Sequence, residues 1–332
     1  MFDAKSKEYF DSNYDTVFDY EQRTVKGGCE IWDVTNGVSL GKHLFYFKDS
    51  SCTCRFCGKT KPEAKFKDKA HTYPEFMGNK LFVSKNNECD ACNHAFGEGN
   101  EAHLRAMLSP YLVFNDIKGK RGQAKYKSSD ESTTATTENG CMRVTEIEGS
   151  GNFSIDEKKK KFTYSMEIPS YSRHKVYKAL LKMALASLGE ADYADTKICQ
   201  SLLKSDEPLG CEFFLFEQFP GFGFFNFQVS LFKRKQSSSQ PTYQFIIRNQ
   251  NFLFQIPFNS DTDIESLKGT GQHIEIAPVP TRFDRSVNGN AKVCLCYPND
   301  MVEVEKHKRC LEFGFDSASM QECLTTDTTS KL

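Results

Sequence analysis

Two Cys-x-x-Cys pairs, Cys54/Cys57 and Cys89/Cys92, constrain this chain more than any other feature. Each pair, set in a tight turn, directs two sulfurs toward one ion, and four thiolates close a tetrahedral zinc site. An all-sulfur, four-coordinate ion has no open position, so this zinc is expected to be structural. It supplies folding energy that so short a segment cannot find in apolar burial. The 31 residues from Gly58 to Glu88 must therefore fold as a module around the ion. Within them, AHTYPEFMGNK (70–80) shows no apolar periodicity and reads as a loop pinned at both ends.

The chain has 332 residues, 39% of them hydrophobic and 26% charged, which suits a soluble globule of two domains or one decorated domain. With 43 Lys+Arg against 44 Asp+Glu, the overall charge selects no partner, and any attraction to nucleic acid must come from local patches. MFDAKSKEYF is not a signal peptide, and no run approaches 18 apolar residues. Thirteen cysteines, an odd number, then imply a reducing cytoplasm, with four thiols on zinc and most of the rest free. Cys52 reads as a spectator, and Cys294 with Cys296 as one face of a strand.

Residues 1–50 read as an N-terminal capping region with strand-like EIWDV (30–34) and HLFYF (43–47). The module occupies 51–108, and 109–325 forms a C-terminal α+β targeting or regulatory domain. In that domain DIKGKRGQAKYKSSD (116–130) is turn-rich and basic, ESTTATTENG (131–140) has the composition of an exposed loop, and EKKKK (157–161) reads as a solvated hairpin tip. SRHKVYKALLKMALASLGE (172–190) is a helix, with Ser172 as N-cap, Gly189 as stop, and Tyr177, Leu180, Leu181, Ala184, Leu185 and Leu188 as its apolar stripe. Period-two alternation over 224–235, 242–250 and 251–258 gives antiparallel strands, with QSSSQP joining the first two. Their phenylalanines, among 29 in the chain, form a sheet face packed on that helix rather than a base-stacking platform. Beyond Thr325 the chain reads as frayed.

His71 lies inside the zinc-clamped loop, just before Tyr73-Pro74, and Asn93 follows the last cysteine directly. NHAFGEGNEAHLRAML (93–108) reads as one helix, which places Asn93, Gly97 and Glu101 on one face at i, i+4 and i+8. His94 and His103 point elsewhere and read as incidental.

CRFCGK (54–59), AHTYPEFMGNK (70–80) and ECDACNHAFG (88–97) with Glu101 resemble the HNH endonuclease family, in its subgroup with two zinc-binding Cys-x-x-Cys pairs. The resemblance covers roughly residues 52–105. It implies a ββα-metal arrangement, in which a β-hairpin and a helix pinch a catalytic divalent ion, magnesium or manganese. It implies His71 as the general base for water attacking a phosphodiester, and Asn93 as a ligand of that ion from the helix. Asn86 or Asn87 would match the middle asparagine that orients the base, with Asn87 taken as the candidate.

One position departs from the pattern. Many members carry an acidic metal ligand just before the histidine, where this chain has Ala70. Glu75 or Glu101 substitutes, or the ion is held through water and phosphate oxygens, or activity is lost. Lys118, Lys120, Arg121 and Lys125 form a basic stretch in which Gly119 and Gly122 permit close backbone approach to phosphates.

The expected function is a metal-dependent endonuclease acting on DNA, with RNA left open. Nucleases of this family with large unassigned partner domains resemble bacterial antiviral defence effectors, in which that domain silences the enzyme until an activating ligand or partner protein arrives. Symmetric cutting of duplex would favour a homodimer. The competing expectation is a non-catalytic zinc knuckle that binds nucleic acid or protein.

Overall fold

Apolar and polar residues alternate between 225 and 258, and the chain there runs as three antiparallel strands. The computed structural model describes residues 4–47, 52–120, 122–205, 214–218, 225–235, 240–267, 292–296 and 303–314. Strands β5 (Phe225–Arg234), β6 (Tyr243–Gln250) and β7 (Phe252–Phe258) pair in a meander, with Val229 opposite Ile247 and Ile247 opposite Phe254. This register sends Phe227, Val229, Leu231, Phe245, Ile247, Phe252, Phe254 and Ile256 into one buried cluster.

On one side β4 (Phe214–Gln218) and β8 (Lys292–Cys296) continue the sheet. On the other, β5 pairs with β1 (Tyr14–Val25), followed by β2 (Gly28–Asp33) and β3 (Val38–Gly41). The eight strands run in the order β8-β4-β7-β6-β5-β1-β2-β3. Residues 14–41, read from sequence as part of a separate capping region, thus supply three strands of the sheet that carries the C-terminal half. The strand-like signals there are local, and nothing in them announces a partner some two hundred residues away.

Helix α3 (Arg173–Ser187) lies against this sheet. Ser172 caps it, accepting the Lys175 N–H at 3.4 Å. All six stripe residues are buried, but so are Lys178, Lys182 and Ser187 on other faces. The helix is enclosed because the zinc module and α2 (Asn100–Phe114) cover the side turned away from the sheet. It ends at Ser187, two residues before Gly189, as Leu188 turns extended (ψ 145°).

The run 131–140 is a further departure. Thr133–Glu138 is a strand between Lys125–Lys127 and Cys141–Glu146, with Thr133, Ala135 and Thr137 buried in alternation. Alternate threonines pack well on a pleated surface, so a polar composition concealed a strand. This small sheet shares a second core with Val113, Phe114, Tyr164 and Met166. EKKKK does form the turn between strands Phe153–Asp156 and Lys161–Ile168. Cys294 and Cys296 fall in β8, while the chain beyond Thr325 and most of the QSSSQP connection lie outside the described residues. Among the described residues no helix is long and apolar enough to cross a membrane.

Candidate active site

The zinc knuckle is assembled from two backbone turns. Cys54 N–H donates to Lys59 O at 2.8 Å and Gly58 N–H to Cys54 O at 2.8 Å, which closes the first turn. Gly58 has φ +74°, a conformation that glycine adopts without strain. Cys89 caps α1 (Asp90–Glu98), which brings Cys92 around on the first turn, and the Cys89 N–H points at Cys54 Sγ. The four sulfurs lie within 4.8 Å of one another, with Cys57 and Cys89 3.8 Å apart. Zinc–sulfur bonds of about 2.3 Å give a tetrahedral sulfur–sulfur edge of roughly 3.8 Å, so the donor set fits zinc. Cys52 is not part of the cluster.

The loop between the pairs folds back as a short hairpin. Thr72 N–H donates to Phe82 O at 3.2 Å and Ser84 N–H to Ala70 O at 2.9 Å, which sets His71 opposite Val83. Phe45, from HLFYF, adds itself beside Phe82 through a single parallel bridge. A 3-10 turn at Glu75–Met77 follows Pro74, and Gly78, at φ +96°, reverses the chain.

Asn79 is fully buried within this reversal. Its Nδ2 donates to Tyr73 O (2.6 Å) and Phe82 O (2.8 Å), and its Oδ1 accepts from Leu81 N–H (3.1 Å) and Phe82 N–H (2.9 Å). The same Nδ2 sits 3.4 Å from His71 Nδ1. Both amide hydrogens are already taken by carbonyls, so this approach is a packing contact against the imidazole and not a hydrogen bond to it. The other ring nitrogen, Nε2, faces Glu75 at 3.8 Å, and Lys80 Nζ stands 3.8 Å from the far oxygen of that carboxylate. Burial pushes the His71 imidazole down to about 4; Glu75 opposes this, and Lys69, Lys80 and Lys182 add to it.

Beneath the module, three buried charges tie it to α3. Lys182 Nζ lies 3.0 Å from Glu88 and 3.3 Å from Glu101, with the lysine side chain 1% exposed and that of Glu88 0%. Arg55, inside the first cysteine pair, donates to the carbonyls of Leu185, Ala186 and Leu188 at 3.2, 2.7 and 2.6 Å. These are among the carbonyls a helix end leaves without partners, so Arg55 caps α3. Its guanidinium also stacks on Tyr193.

The residues singled out from sequence divide accordingly. His71 and Glu75 come together at the hairpin. The asparagine beside the imidazole is Asn79, whereas Asn87 gives its carbonyl to Arg55 N–H and lines a small cavity with Thr72, Ser84 and Ala186. A Gly-Asn pair in a polar loop reads as a turn, and only its burial reveals the role; no spacing rule would have selected it. Asn93 sits half-buried in the first turn of α1.

The single helix read over 93–108 is in fact two, broken at Gly99 (φ −89°, ψ −97°), so Asn93 and Glu101 do not share one continuous face. Glu101 is committed to Lys182, which leaves Glu75 as the carboxylate beside His71. Ala70 is 1% exposed, with no polar atom to offer an ion. Among the described residues the four cysteines alone form a cluster of three or more potential metal-binding side chains. Of the other oxygen donors singled out from sequence, Glu75 stands beside His71 and Asn93 lies on α1. Lys118, Lys120 and Lys125 are exposed, and Arg121 lies outside the described residues.

A cysteine cluster that fits zinc, a short hairpin with His71 at an isolated bridge, and a following helix thus lie together in one segment. Residues 54–109 match the family model of HNH endonucleases. No curated protein and no solved structure matches the chain. An HNH module implies nucleic acid as the general class of partner.

Proposed function

We propose that the chain is a metal-dependent endonuclease that hydrolyses phosphodiester bonds of DNA at His71. The observation that carries this reading is the setting of His71 in the hairpin of the family-matched segment, opposite Val83 and with its Nε2 facing Glu75 at 3.8 Å. Nε2 takes a proton from water, the water oxygen forms a bond to phosphorus, and the bond from phosphorus to the leaving oxygen breaks. Glu75 and Asn93 would hold a magnesium or manganese ion, which supplies positive charge against the developing phosphate charge when bound. Lys69 and Lys80 flank His71, and Lys80 donates to Lys118 O at 2.6 Å, which links the site to the basic hairpin. Lys118, Lys120 and Lys125 then contact backbone phosphates without reading sequence.

A role as a defence effector rests on architecture alone, a nuclease module embedded in a large unassigned domain. Cleavage of supercoiled DNA with each divalent ion, with and without chelator, tests the proposal. Activity is expected with magnesium or manganese only, and ion-independent cutting would refute it.

One observation favours a second reading. Ala70 is apolar and buried where an acidic ligand would stand, and Glu101 is neutralised by Lys182. A non-catalytic module would bind nucleic acid or protein through the zinc knuckle without any divalent ion. Binding that persists in His71→Ala, with no cutting by either protein, would support it.

A further inference from the structure

The loop that carries Glu75, Asn79 and Lys80 is held from outside the HNH module, by side chains of the eight-stranded sheet. Gln22 of β1 is buried against it. Its Oε1 accepts the N–H groups of Lys80 (2.7 Å) and Leu81 (3.1 Å), and its Nε2 donates to Gly78 O (3.0 Å). These three peptide groups flank Asn79 on both sides, and the Leu81 N–H is shared between Gln22 and Asn79. From β6, buried Asn249 donates to Met77 O at 2.6 Å. A Cβ on Gly78 would fall 2.6 Å from Asn249 Nδ2, so glycine is required there by contact as well as by its φ of +96°. Two strands far apart in sequence therefore close on one five-residue reversal.

We infer that Gln22 and Asn249 are positioning residues of the catalytic centre, and that the sheet is a structural part of the active site rather than a separate targeting domain. The inference rests on the nuclease reading above. Asn79 ties together the two arms of the hairpin that carries His71, through Tyr73 O and the N–H and O of Phe82, and Gln22 holds the backbone on either side of Asn79 by three bonds. Buried peptide groups that lose such partners relax toward other ones. A displacement of about 1 Å at a reacting group costs on the order of 100-fold in rate, while substrate affinity, set by remote phosphate contacts, changes little.

The test compares full-length, zinc-loaded wild type with Gln22→Met, which keeps the volume and removes the three bonds. Gln244→Met serves as control, because Gln244 is equally buried on β6 but bonds Gln255 and Tyr14, away from the loop. For Gln22→Met, kcat should fall at least about 10-fold with KM within about twofold. Amide hydrogen exchange at Asn79, Lys80 and Leu81 should quicken about 10-fold or more, with knuckle amides at Cys54 and Gly58 unchanged. The control should lose comparable thermal stability with kcat intact. Unchanged exchange at 79–81 in Gln22→Met would overturn the inference whether or not the protein cuts DNA. So would an equal loss of kcat in the control. Absence of cutting by wild type would instead count against the nuclease reading, with the exchange data still deciding the brace.

Discussion

Replacing Lys182 by methionine should destabilise the whole protein, because it leaves the buried Glu88 carboxylate without its nearest cation. Lys182 Nζ is the cation at 3.0 Å from Glu88, whose side chain has no exposure. Desolvation raises Glu88 to about 7 even with Lys182 opposing it. Without the ammonium that opposes this rise, the carboxyl is pushed up further and takes up a proton at neutral pH. Removing one partner of a buried ion pair costs roughly 3–5 kcal/mol. Unfolding entropy of about 2.1 cal/mol/K per residue converts a loss of about 4 kcal/mol in a chain this long into a fall of about 6 °C in Tm. Glu101 contributes less, because its side chain is 16% exposed and can turn to water. Thermal unfolding of Lys182→Met and of Lys182→Met with Glu88→Gln, both fully zinc-loaded, separates the charge from the packing. The double variant should regain at least half of the lost Tm. If the single variant melts with wild type, or the double variant melts no higher than the single one, the reasoning is wrong.

Other consequences concern the ion, the surface and alkaline pH. Stripping zinc with a strong chelator, or Cys89→Ser, should unfold the hairpin that holds His71 and, through Arg55, loosen the end of α3; loss of hydrogen-exchange protection at both places is the readout. Lys118→Gln with Lys120→Gln should weaken DNA binding uniformly across sequences and reduce the salt dependence of log Kd by about two contacts, measured by anisotropy in the His71→Ala background. Burial raises the phenols of Tyr14 and Tyr193 to about 12 and those of Tyr164 and Tyr243 beyond that. The unfolded chain ionises near pH 10 while the folded one stays protonated, so this stability is present below pH 10 and is lost as pH rises through 12. Urea titrations at pH 9 and pH 11 should show that fall, and Tyr14→Phe should make it shallower.

The sequence disclosed what depends on short-range pattern. Cysteine spacing located the knuckle, period-two alternation located β5 to β7, and a helical stripe with Ser172 located α3. It also marked His71, because a histidine clamped between zinc turns has few structural reasons to be there. What it concealed depends on contacts distant in the chain. Gln22, Lys182 and Asn249 look like ordinary polar residues on a strand or helix, and only the fold brings Gln22 and Asn249 against the 77–81 reversal and Lys182 against Glu88. Asn79 was hidden by its Gly-Asn context, which signals a turn and says nothing of burial. Thr133–Glu138 was hidden by polarity, since its threonines bury methyl groups while their composition resembles a loop. The break at Gly99 illustrates the reverse error, in which apolar spacing continued through a glycine that the backbone used to bend.

The most direct test of the account is cleavage of supercoiled plasmid with manganese or magnesium, comparing wild type with His71→Ala at equal zinc content. The expected result is nicked or linear product from wild type and a loss of at least about 100-fold in rate for the variant, as for removal of a general base. Equal rates from the two proteins, or no cutting by wild type under any divalent ion, would contradict the claim that His71 is the base of a working nuclease.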